Sequence, residues 1–366
     1  MKTVYIHIGT FKTGTTSIQQ FIKRNRKRLR GRGIYVPTTP LLAHHPLPLS
    51  LIKKHSRWRG GWREFDGDPD EIWGQMLTEI SKTRCRKILI SSESFCDLVN
   101  ENCRQSSDTF GKYIKQKFEP YDVKIICYLR SIEPYITSIY QESIKVTSRT
   151  IGFSQELEDL YKRESIHLKP SIYLDFFAKL FGQENMIIRE YSREKLTGGD
   201  SVKDILEMFG CADLYDEQEA IRSNPSLTAT ELKLKKALNA CALDYYEFHD
   251  ELTRLIKTCR DISEDDSFEQ DIPEYIAAEI ANEEKKIEDR YGLTFSPKST
   301  RQASVNSGAA PSSYDLLVLS LLSKIIAQNE LLLSRGEKTL RPAPSRFREK
   351  LVAVLRKAGI RRPPER

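Results

Sequence analysis

Three groups of residues in this sequence have the types and spacing needed to bind anions and to accept a proton. Lys12 lies in a run with two glycines, GTFKTGTT at residues 9–16, Glu93 follows an apolar stretch, and Arg130 precedes Ser138 by eight residues. Ammonium and guanidinium groups bind phosphate or sulfate, and a carboxylate can take a proton from a hydroxyl. Together the three groups indicate chemistry on a phosphorylated compound.

The glycine-bearing run lies between a predicted strand and a predicted helix. Residues 4–8 are mostly β-branched or aromatic, which favours a strand. Apolar residues at three- and four-residue spacing then predict a helix: Ile18, Phe21, Ile22 and Leu29. Glycines let the backbone of such a turn approach an anion, and the helix N-terminus adds partial positive charge. We expect Lys12 and the N–H groups of Thr13, Gly14, Thr15 and Thr16 to bind an anion.

The spacing of the two glycines is that of a Walker A loop, but the lysine is displaced. Thr15 occupies the position of the Walker lysine, and the cation is Lys12, inside the turn. A nucleotide kinase also needs an Asp at the end of a hydrophobic strand to hold magnesium. The apolar runs at 87–90 and 124–129 lead into serine and arginine instead. The sequence therefore favours a phosphorylated donor that is bound without a metal.

Residues 7–17 resemble the phosphate-binding loop of the sulfotransferases that use 3′-phosphoadenosine 5′-phosphosulfate (PAPS), in particular its bacterial branch. FKTGTT at 11–16 is similar to the P-K-S-G-T-T loop that binds the 5′-phosphosulfate, with Phe11 where many members have Pro. The resemblance implies a P-loop type α/β fold, with a parallel sheet flanked by helices and a helical C-terminal region. It also implies PAPS as donor, no metal, and a carbohydrate or glycolipid hydroxyl as acceptor.

Arg130 and Ser138 have a spacing similar to that of the family's 3′-phosphate site. A buried strand is predicted at 124–129, and Ser131 is expected to cap the helix that follows. Arg130 would then lie at the strand end, with Ser138 two turns into the helix. A planar guanidinium and a hydroxyl can hold one phosphate between them. The resemblance implies that these two residues bind the 3′-phosphate of PAPS.

The catalytic base is predicted from strand topology. Residues 86–92 indicate a strand, so Glu93 is expected at the carboxyl edge of the sheet, where open parallel sheets bind ligands. There it would take the proton of the acceptor hydroxyl. His44 and His45 are competing bases, and a structural ion pair is the alternative role of Glu93. Lys12, Glu93 and His45 are the candidate catalytic residues.

Residues 38–65 show no periodicity, and we predict a long loop there. They contain three of the six histidines and two of the three tryptophans, with several arginines. Long loops inside compact domains are usually functional. Arg, Trp and His suit a sugar with acidic groups, because the rings stack on the sugar and the guanidinium pairs with carboxylate or sulfate. A surface loop pinned by tryptophans is the alternative, and the sequence leaves both open.

Composition limits the remaining classes of function. The chain has 366 residues, is 39% hydrophobic and carries seven scattered cysteines without a C-x-x-C pair. These features predict a folded protein with reduced thiols and disfavour a metal site. A strand that begins near Met1 leaves no room for a signal peptide, and the longest apolar run, 316–322, is too short to span a bilayer. We therefore expect a cytoplasmic enzyme.

The net charge of +7 is unevenly distributed. Residues 335–366 contain eleven Lys or Arg and three Glu, a net of +8, so residues 1–334 carry 7 − 8 = −1. A nearly neutral body argues against a nucleic-acid partner. The basic run at 23–32 is interpreted as a solvated helix face. Whether the basic tail contacts the inner face of the membrane or is simply solvated stays open.

Three segments are predicted along the chain. Residues 1–225 form the PAPS-binding α/β domain, 226–293 a helical extension, and 294–366 a linker with a basic helical tail. Helices are predicted at about 227–241, 244–262 and 274–291, and at 314–333, which could pair in a homo-oligomer, and 346–360. Two other functions remain as alternatives: a P-loop nucleotide kinase or NTPase, and a non-catalytic nucleotide-binding scaffold that acts through 294–366.

Overall fold

The computed structural model of the protein describes residues 1–39, 43–55, 67–147, 149–216, 232, 235–236 and 272–296. The chain divides into two compact units. The first consists of Met1–Ile136, Leu157–Asn224 and Ile272–Lys298, and the second of Thr137–Glu156, Pro225–Asp271 and Ser299–Arg366. Each unit is described by itself. The three-segment division expected from the sequence stays a prediction.

The first unit is built on a parallel β-sheet of five strands. The strands are β1 (Thr3–His7), β2 (Ile34–Tyr35), β3 (Lys87–Ser91), β4 (Asp122–Leu129) and β5 (Met186–Glu190). Their order across the sheet is β2-β3-β1-β4-β5, and every pairing is parallel. Helices join the strands, as parallel connections require. The predicted α/β fold with a parallel sheet flanked by helices is confirmed.

Ten α-helices are described along the chain. They are α1 (Thr15–Arg24), α2 (Arg26–Gly31), α3 (Pro46–His55), α4 (Pro69–Lys82), α5 (Ser107–Phe118), α6 (Ile132–Val146), α7 (Phe153–Lys162), α8 (Ser171–Phe181), α9 (Ser201–Met208) and α10 (Glu274–Tyr291). A short 3-10 helix, Glu93–Val99, follows β3. Among the described helices, none combines the length and the apolar character needed to cross a bilayer.

Both faces of the sheet are covered, because successive strand residues point to opposite faces. On β3, Ile88 and Ile90 belong to one hydrophobic cluster and Leu89 to another. On β4, Cys127 and Tyr128 are divided in the same way. The first cluster includes buried residues of α3, α4, α5, α8 and α10, and the second includes those of α1, α2 and α9. The sheet is therefore enclosed between two layers of helices.

Several helix boundaries follow directly from sequence signals. The side chain of Asp68 accepts a hydrogen bond from the N–H of Asp70, and Pro69 begins α4, as predicted. Trp73 and Met76 on its inner face are buried. The predicted helix at 274–291 is confirmed as α10. The other predicted C-terminal helices, at about 227–241, 244–262, 314–333 and 346–360, lie outside the described residues.

Three local expectations were wrong. The segment 38–65 was expected to be a loop, but it contains α3, whose Leu47 and Leu51 are buried. The prolines of this segment are typical of a loop, but proline is also tolerated in the first turn of a helix, where two of them lie. The single helix predicted after residue 15 is divided at Asn25 into α1 and α2. Ser131 donates its hydroxyl proton to Glu284 instead of capping α6.

The N-terminus of α6 is capped from α10. One oxygen of Glu284 accepts hydrogen bonds from the Ser131 hydroxyl at 2.7 Å and from the N–H of Ile132 at 2.8 Å. A carboxylate near a helix N-terminus is stabilising because it neutralises the free N–H groups and the helix dipole. A residue about 150 positions away supplies this cap, so no local sequence pattern could have shown it.

Candidate functional site

The loop that follows β1 lies at the carboxyl edge of the sheet and is attached to β4. The N–H of Ile8 donates to the carbonyl of Ile126 at 2.9 Å, and the hydroxyl of Thr10 donates to the carbonyl of Tyr128 at 3.2 Å. From β1 the chain moves to β2 on one side of the sheet, and from β4 it moves to β5 on the other. Ligands of open α/β sheets bind at such a switch point.

The loop itself is held in a specific turn. Lys12 has φ 64° and Gly14 has φ 74°, so two residues adopt the left-handed conformation. For lysine this conformation costs about 1–2 kcal/mol. The hydroxyl of the buried Thr13 donates to the carbonyl of Thr10 at 2.6 Å and closes the turn from inside. Backbone strain of this kind is typical of functional sites.

Both glycines of the loop are in close contact with neighbouring groups. A Cβ atom on Gly14 would lie 2.3 Å from the hydroxyl oxygen of Ser201, and one on Gly9 would lie 2.7 Å from His7 Nε2. Helix α1 begins directly after Gly14, which as the N-cap residue makes no side-chain hydrogen bond to the helix. N–H groups at a helix N-terminus can bind an anion. That Thr15 and the following residues do so stays a prediction.

Beneath this loop lies a buried histidine that the sequence analysis did not single out. His7 Nδ1 is 2.8 Å from the hydroxyl oxygen of Ser91, and its Nε2 is buried without a hydrogen-bond partner. Burial lowers the pKa of His7 to about 4, so the ring is neutral. The available signal was a polar residue at the end of a strand that is mostly apolar, directly before Ile8. Its ring packs directly against Gly9.

Arg130 follows β4 at the same edge of the sheet and is half-buried. Burial lowers the pKa of its guanidinium, and the nearby Tyr191 opposes that change. Among the residues that the structure describes, none forms a hydrogen bond or ion pair with Arg130. A half-buried cation without a protein anion beside it is a natural site for a ligand anion.

Tyr191 is close to the end of the loop and also to Arg130. Its N–H donates to the carbonyl of Leu129 at 2.6 Å, which fixes it at the end of β4. Its ring carbon Cε2 lies 3.1 Å from the position that a Cβ of Gly14 would occupy. Burial raises the pKa of Tyr191, and the positive charge of Arg130 opposes that change. The loop and Arg130 therefore both lie near one aromatic side chain. The sequence analysis missed this residue.

Ser138 lies on α6 and is buried. It belongs to the second unit, whereas Arg130 belongs to the first. The predicted pairing of the two residues around one phosphate therefore stays a prediction.

Glu93, His45 and Gln19 form a second polar group at the carboxyl end of β3. Glu93 Oε2 accepts a hydrogen bond from the amide of Gln19 at 2.6 Å, and His45 Nε2 lies 3.7 Å from the same oxygen. The Glu93 and His45 side chains are 12% and 15% exposed, so both are reachable from solvent. His45 Nδ1 is 2.8 Å from the hydroxyl of Ser92. Burial lowers the pKa of His45, and the charge of Glu93 opposes that change.

His44, the other candidate base, is held by backbone groups. Its Nδ1 accepts the N–H of Ser91 at 3.1 Å, so Nε2 carries the proton and faces the carbonyl of Pro37 at 3.2 Å. Burial lowers the pKa of His44 to about 4. With both ring nitrogens engaged, His44 stabilises the segment before α3, and His45 is the histidine beside Glu93.

The chain is similar to two known proteins over part of its length. No protein-family model matches it. It is 26% identical over 160 residues to an uncharacterized protein of Archaeoglobus fulgidus, a match that covers 42% of this chain and 38% of that protein. The fold is similar to the crystal structure of a sulfotransferase from Alicyclobacillus acidocaldarius. That likeness has a TM-score of 0.39 and 16% identity and covers 64% of this chain and 89% of the other.

Two further expectations concern metals and the segment 38–65. Within the described ranges, no group of three or more His, Cys, Asp or Glu residues is placed to hold a metal ion. The cysteines described there form no disulfide: Cys85, Cys96, Cys103, Cys127 and Cys211. Residues 56–66, with both tryptophans and the arginines of the proposed sugar contact, lie outside the described residues. The acceptor-binding role of that segment stays a prediction.

Proposed function

We propose that the protein transfers a sulfuryl group from PAPS to a hydroxyl group of a carbohydrate or glycolipid. The observation that carries this proposal is the placement of two anion-binding groups at the ends of neighbouring strands. The loop with Lys12 follows β1, and Arg130 follows β4. Hydrogen bonds join the loop to β4, and Tyr191 is close to both the loop and Arg130. Two separate cations suit a donor with two separate anionic groups.

On this proposal, the two groups bind opposite ends of the donor. The 5′-phosphosulfate occupies the loop, bound by Lys12 and by the N–H groups of Thr13, Gly14, Thr15 and Thr16. Arg130 binds the 3′-phosphate, which distinguishes PAPS from ordinary adenylates. The contribution of Ser138 to this site stays a prediction. The Tyr191 side chain lies near both phosphate sites and contributes an aromatic surface.

The chemical step is an attack of the acceptor hydroxyl oxygen on the sulfur atom. An S–O bond to the acceptor forms, and the bond between sulfur and the bridging phosphate oxygen breaks. Negative charge grows on the leaving phosphate, and Lys12 with the loop N–H groups stabilises it. Donors fixed in advance at the place where charge develops are usually the largest contribution to catalysis. The products are the sulfate ester and adenosine 3′,5′-bisphosphate.

The proton of the acceptor hydroxyl passes to Glu93. Gln19 and His45 both face a single oxygen of this carboxylate, Oε2. In the described part of the chain, the other oxygen, Oε1, accepts no hydrogen bond, and it is not among the buried polar atoms without a partner. Oε1 is therefore the oxygen that can take the proton. His45 lies beside the other oxygen, Oε2, at 3.7 Å and is the alternative base.

A nucleotide kinase is not favoured by these residues. Thr15 occupies the position of the Walker lysine. The two strands beside β1 end in Ser91 and Leu129 and not in the acid that would hold magnesium.

Calorimetry tests the choice of donor. We expect adenosine 3′,5′-bisphosphate to bind with clearly higher affinity than ATP with magnesium, because only the former has a phosphate for Arg130. Arg130→Ala should remove most of that preference. Tighter binding of magnesium ATP would overturn the proposal in favour of a kinase or NTPase. Deletion of residues 314–366 should leave the donor affinity of an enzyme unchanged. A scaffold that acts through its tail would instead lose its partner.

A screen with sulfur-35-labelled PAPS tests the reaction. Candidate acceptors are neutral, acidic and amino sugars, with glycolipids as a separate group. We expect transfer of label to at least one hydroxyl acceptor, and no transfer by Lys12→Ala. If the donor binds but neither sugars nor glycolipids accept label, the acceptor class is wrong while the donor assignment stands.

A further inference from the structure

The sheet brings together cations from two distant parts of the sequence. Lys27 and Arg30 lie on α2, just before β2, while Lys82, Arg84 and Arg86 lie at the end of α4 and in the turn before β3. All five side chains are exposed. We call these five residues the basic end. The sequence analysis had interpreted residues 23–32 as a solvated helix face and had not noticed the second group.

Backbone contacts hold the two parts of the basic end side by side. Strands β2 and β3 are neighbours, with Ile34 opposite Lys87. The N–H of Lys87 is 3.4 Å from the carbonyl of Gly33, and the Cys85 thiol is 3.9 Å from the carbonyl of Arg30. The cations that immediately precede each strand therefore share one edge of the sheet, at the amino ends of the strands.

Among the residues that the structure describes, no carboxylate pairs with any of the five side chains of the basic end. Asp213, which is close by, pairs with Arg32. Glu79 accepts hydrogen bonds from Tyr35 at 2.7 Å and from a neighbouring threonine. The guanidinium of Arg30 lies over the Tyr35 ring, 5.9 Å from its centre.

We propose that the basic end binds an anionic phospholipid surface. Clustered Lys and Arg are attracted to the negative surface of a bilayer without need of a groove or a specific contact. Single-stranded nucleic acids and sugars, in contrast, are usually held by exposed aromatic rings. In the described part of the chain the exposed large hydrophobic residues are Met1, Tyr161 and Tyr275, and Tyr35, the ring near the basic end, is partly buried.

The basic end and the candidate active site lie at opposite ends of the strands. The basic end is at the amino ends of the parallel strands, whereas the Lys12 loop and Arg130 are at the carboxyl ends. Binding of a bilayer at the basic end would therefore leave the candidate active site at the opposite ends of the strands. This inference does not depend on the proposed reaction, and its test needs neither donor nor acceptor.

The test is co-sedimentation of the full chain with vesicles. One set contains equal parts of phosphatidylglycerol and phosphatidylcholine, and the other contains phosphatidylcholine alone. We expect binding to the anionic vesicles only, and weaker binding as salt is added. Each Lys or Arg near an anionic surface contributes about fivefold to the binding constant. The double variant Arg84→Gln/Arg86→Gln should therefore bind about twenty-five-fold more weakly.

The matched control is Lys112→Gln/Lys115→Gln. It removes the same net charge from two exposed lysines on α5, and we expect a change of less than about twofold. The basic tail, residues 335–366, is present in every protein compared, so its contribution cancels. Equal weakening by both variants, or no weakening by either, would overturn the proposal. So would binding to heparin or RNA at salt concentrations where the anionic vesicles are not bound.

Discussion

The side chain of Lys12 and the backbone that carries it make separate contributions to the candidate site. Its φ of 64° belongs to the shape of the turn, while its ammonium supplies the charge. Glycine adopts positive φ without strain, so Lys12→Gly removes the charge and preserves the turn. Lys12→Ala removes the charge and retains the strain. The two variants together separate charge from geometry.

We predict that both variants lose turnover of PAPS, by about 10²–10³-fold, the typical effect of removing one donor to a developing anion. Lys12→Gly should be at least as stable as the parent protein, and thermal unfolding checks this. Lys23→Ala, on the exposed part of α1, serves as a control for loss of one positive charge. Normal turnover by Lys12→Gly would show that the loop N–H groups suffice without the ammonium.

Glu93 is expected to act on the acceptor and not on the donor. Glu93→Gln retains the size of the side chain and can no longer take a proton, so we predict loss of rate by about 10²–10⁴-fold. The affinity for adenosine 3′,5′-bisphosphate, measured by calorimetry, should not change. A variant with unchanged rate would assign Glu93 a structural role, and His45→Gln would then be the next variant to measure.

Gln19 connects the donor site to the base. It lies on α1, which begins at the phosphate-binding loop, and its amide donates to Glu93 at 2.6 Å. We predict that Gln19→Leu lowers kcat by about tenfold, the equivalent of a lost hydrogen bond of about 1.5 kcal/mol to a charged group. The KM for PAPS should not change. Gln20→Leu, one residue further on, is the matched control, and an equal effect there would deny Gln19 a positioning role.

At the scale of elements, the site depends on close contact between the loop and α9. Ser201 is the first residue of α9, and its hydroxyl oxygen lies 2.3 Å from the place of a Gly14 Cβ. We predict that Gly14→Ala lowers the free energy of unfolding by about 1–3 kcal/mol, from the clash and the positive φ together. It should also weaken donor binding at least tenfold, because the loop must shift.

A second substitution separates the two causes. Ser201→Gly removes the clashing hydroxyl, so the double variant Gly14→Ala/Ser201→Gly should recover part of the stability that Gly14→Ala loses. Gly74→Ala on α4 is the control, because a Cβ there meets no neighbouring atom. It should stabilise the protein by up to about 1 kcal/mol. If the double variant loses as much free energy of unfolding as the two single variants lose together, the contact with α9 does not constrain the loop.

The sequence predicted the elements that local signals specify and missed those fixed by distant contacts. Strand β1, the loop and α4 follow from β-branched residues, glycines and an Asp-Pro helix start, all local features. Glu284, which caps α6, comes from another helix, and Tyr191 becomes part of the site only through its contact with Gly14. The placement of Glu93 was predictable because strand ends in a parallel sheet share one edge. Its contact with Gln19 was not, since it joins α1 to β3.

At the scale of the whole molecule, burial of polar groups sets the dependence of stability on pH. Burial lowers the pKa of His7, His44 and His167 to about 4, against an ordinary value of 6.5. These histidines bind fewer protons in the folded than in the unfolded state. Their contribution to stability is therefore complete above about pH 6.5 and is lost as the pH falls towards 4.

Asp97 acts in the opposite direction. Burial and the charge of Glu93 raise its pKa to about 7, against an ordinary value of 3.8. It binds a proton more readily in the folded state, so its contribution to stability grows as the pH falls from about 7 to 4. As the pH falls from about 7 to about 5, each buried histidine lowers the free energy of unfolding by about 2 kcal/mol, and Asp97 raises it by about 2 kcal/mol. The three histidines therefore dominate.

We predict that the protein loses about 3 kcal/mol of stability between about pH 7 and pH 5, measured as the shift of its urea unfolding curve. Asp97→Asn removes the opposing group, so this loss should grow to about 5 kcal/mol. His167→Phe removes one destabilising group, so the loss should shrink by about 2 kcal/mol. The His167 contact with the Tyr135 hydroxyl, 2.9 Å long, is lost at both pH values and cancels in the difference. Stability that does not change between the two pH values would mean that these histidines are not held neutral. The buried Nε2 of His7, which has no hydrogen-bond partner among the described residues, would then need another explanation.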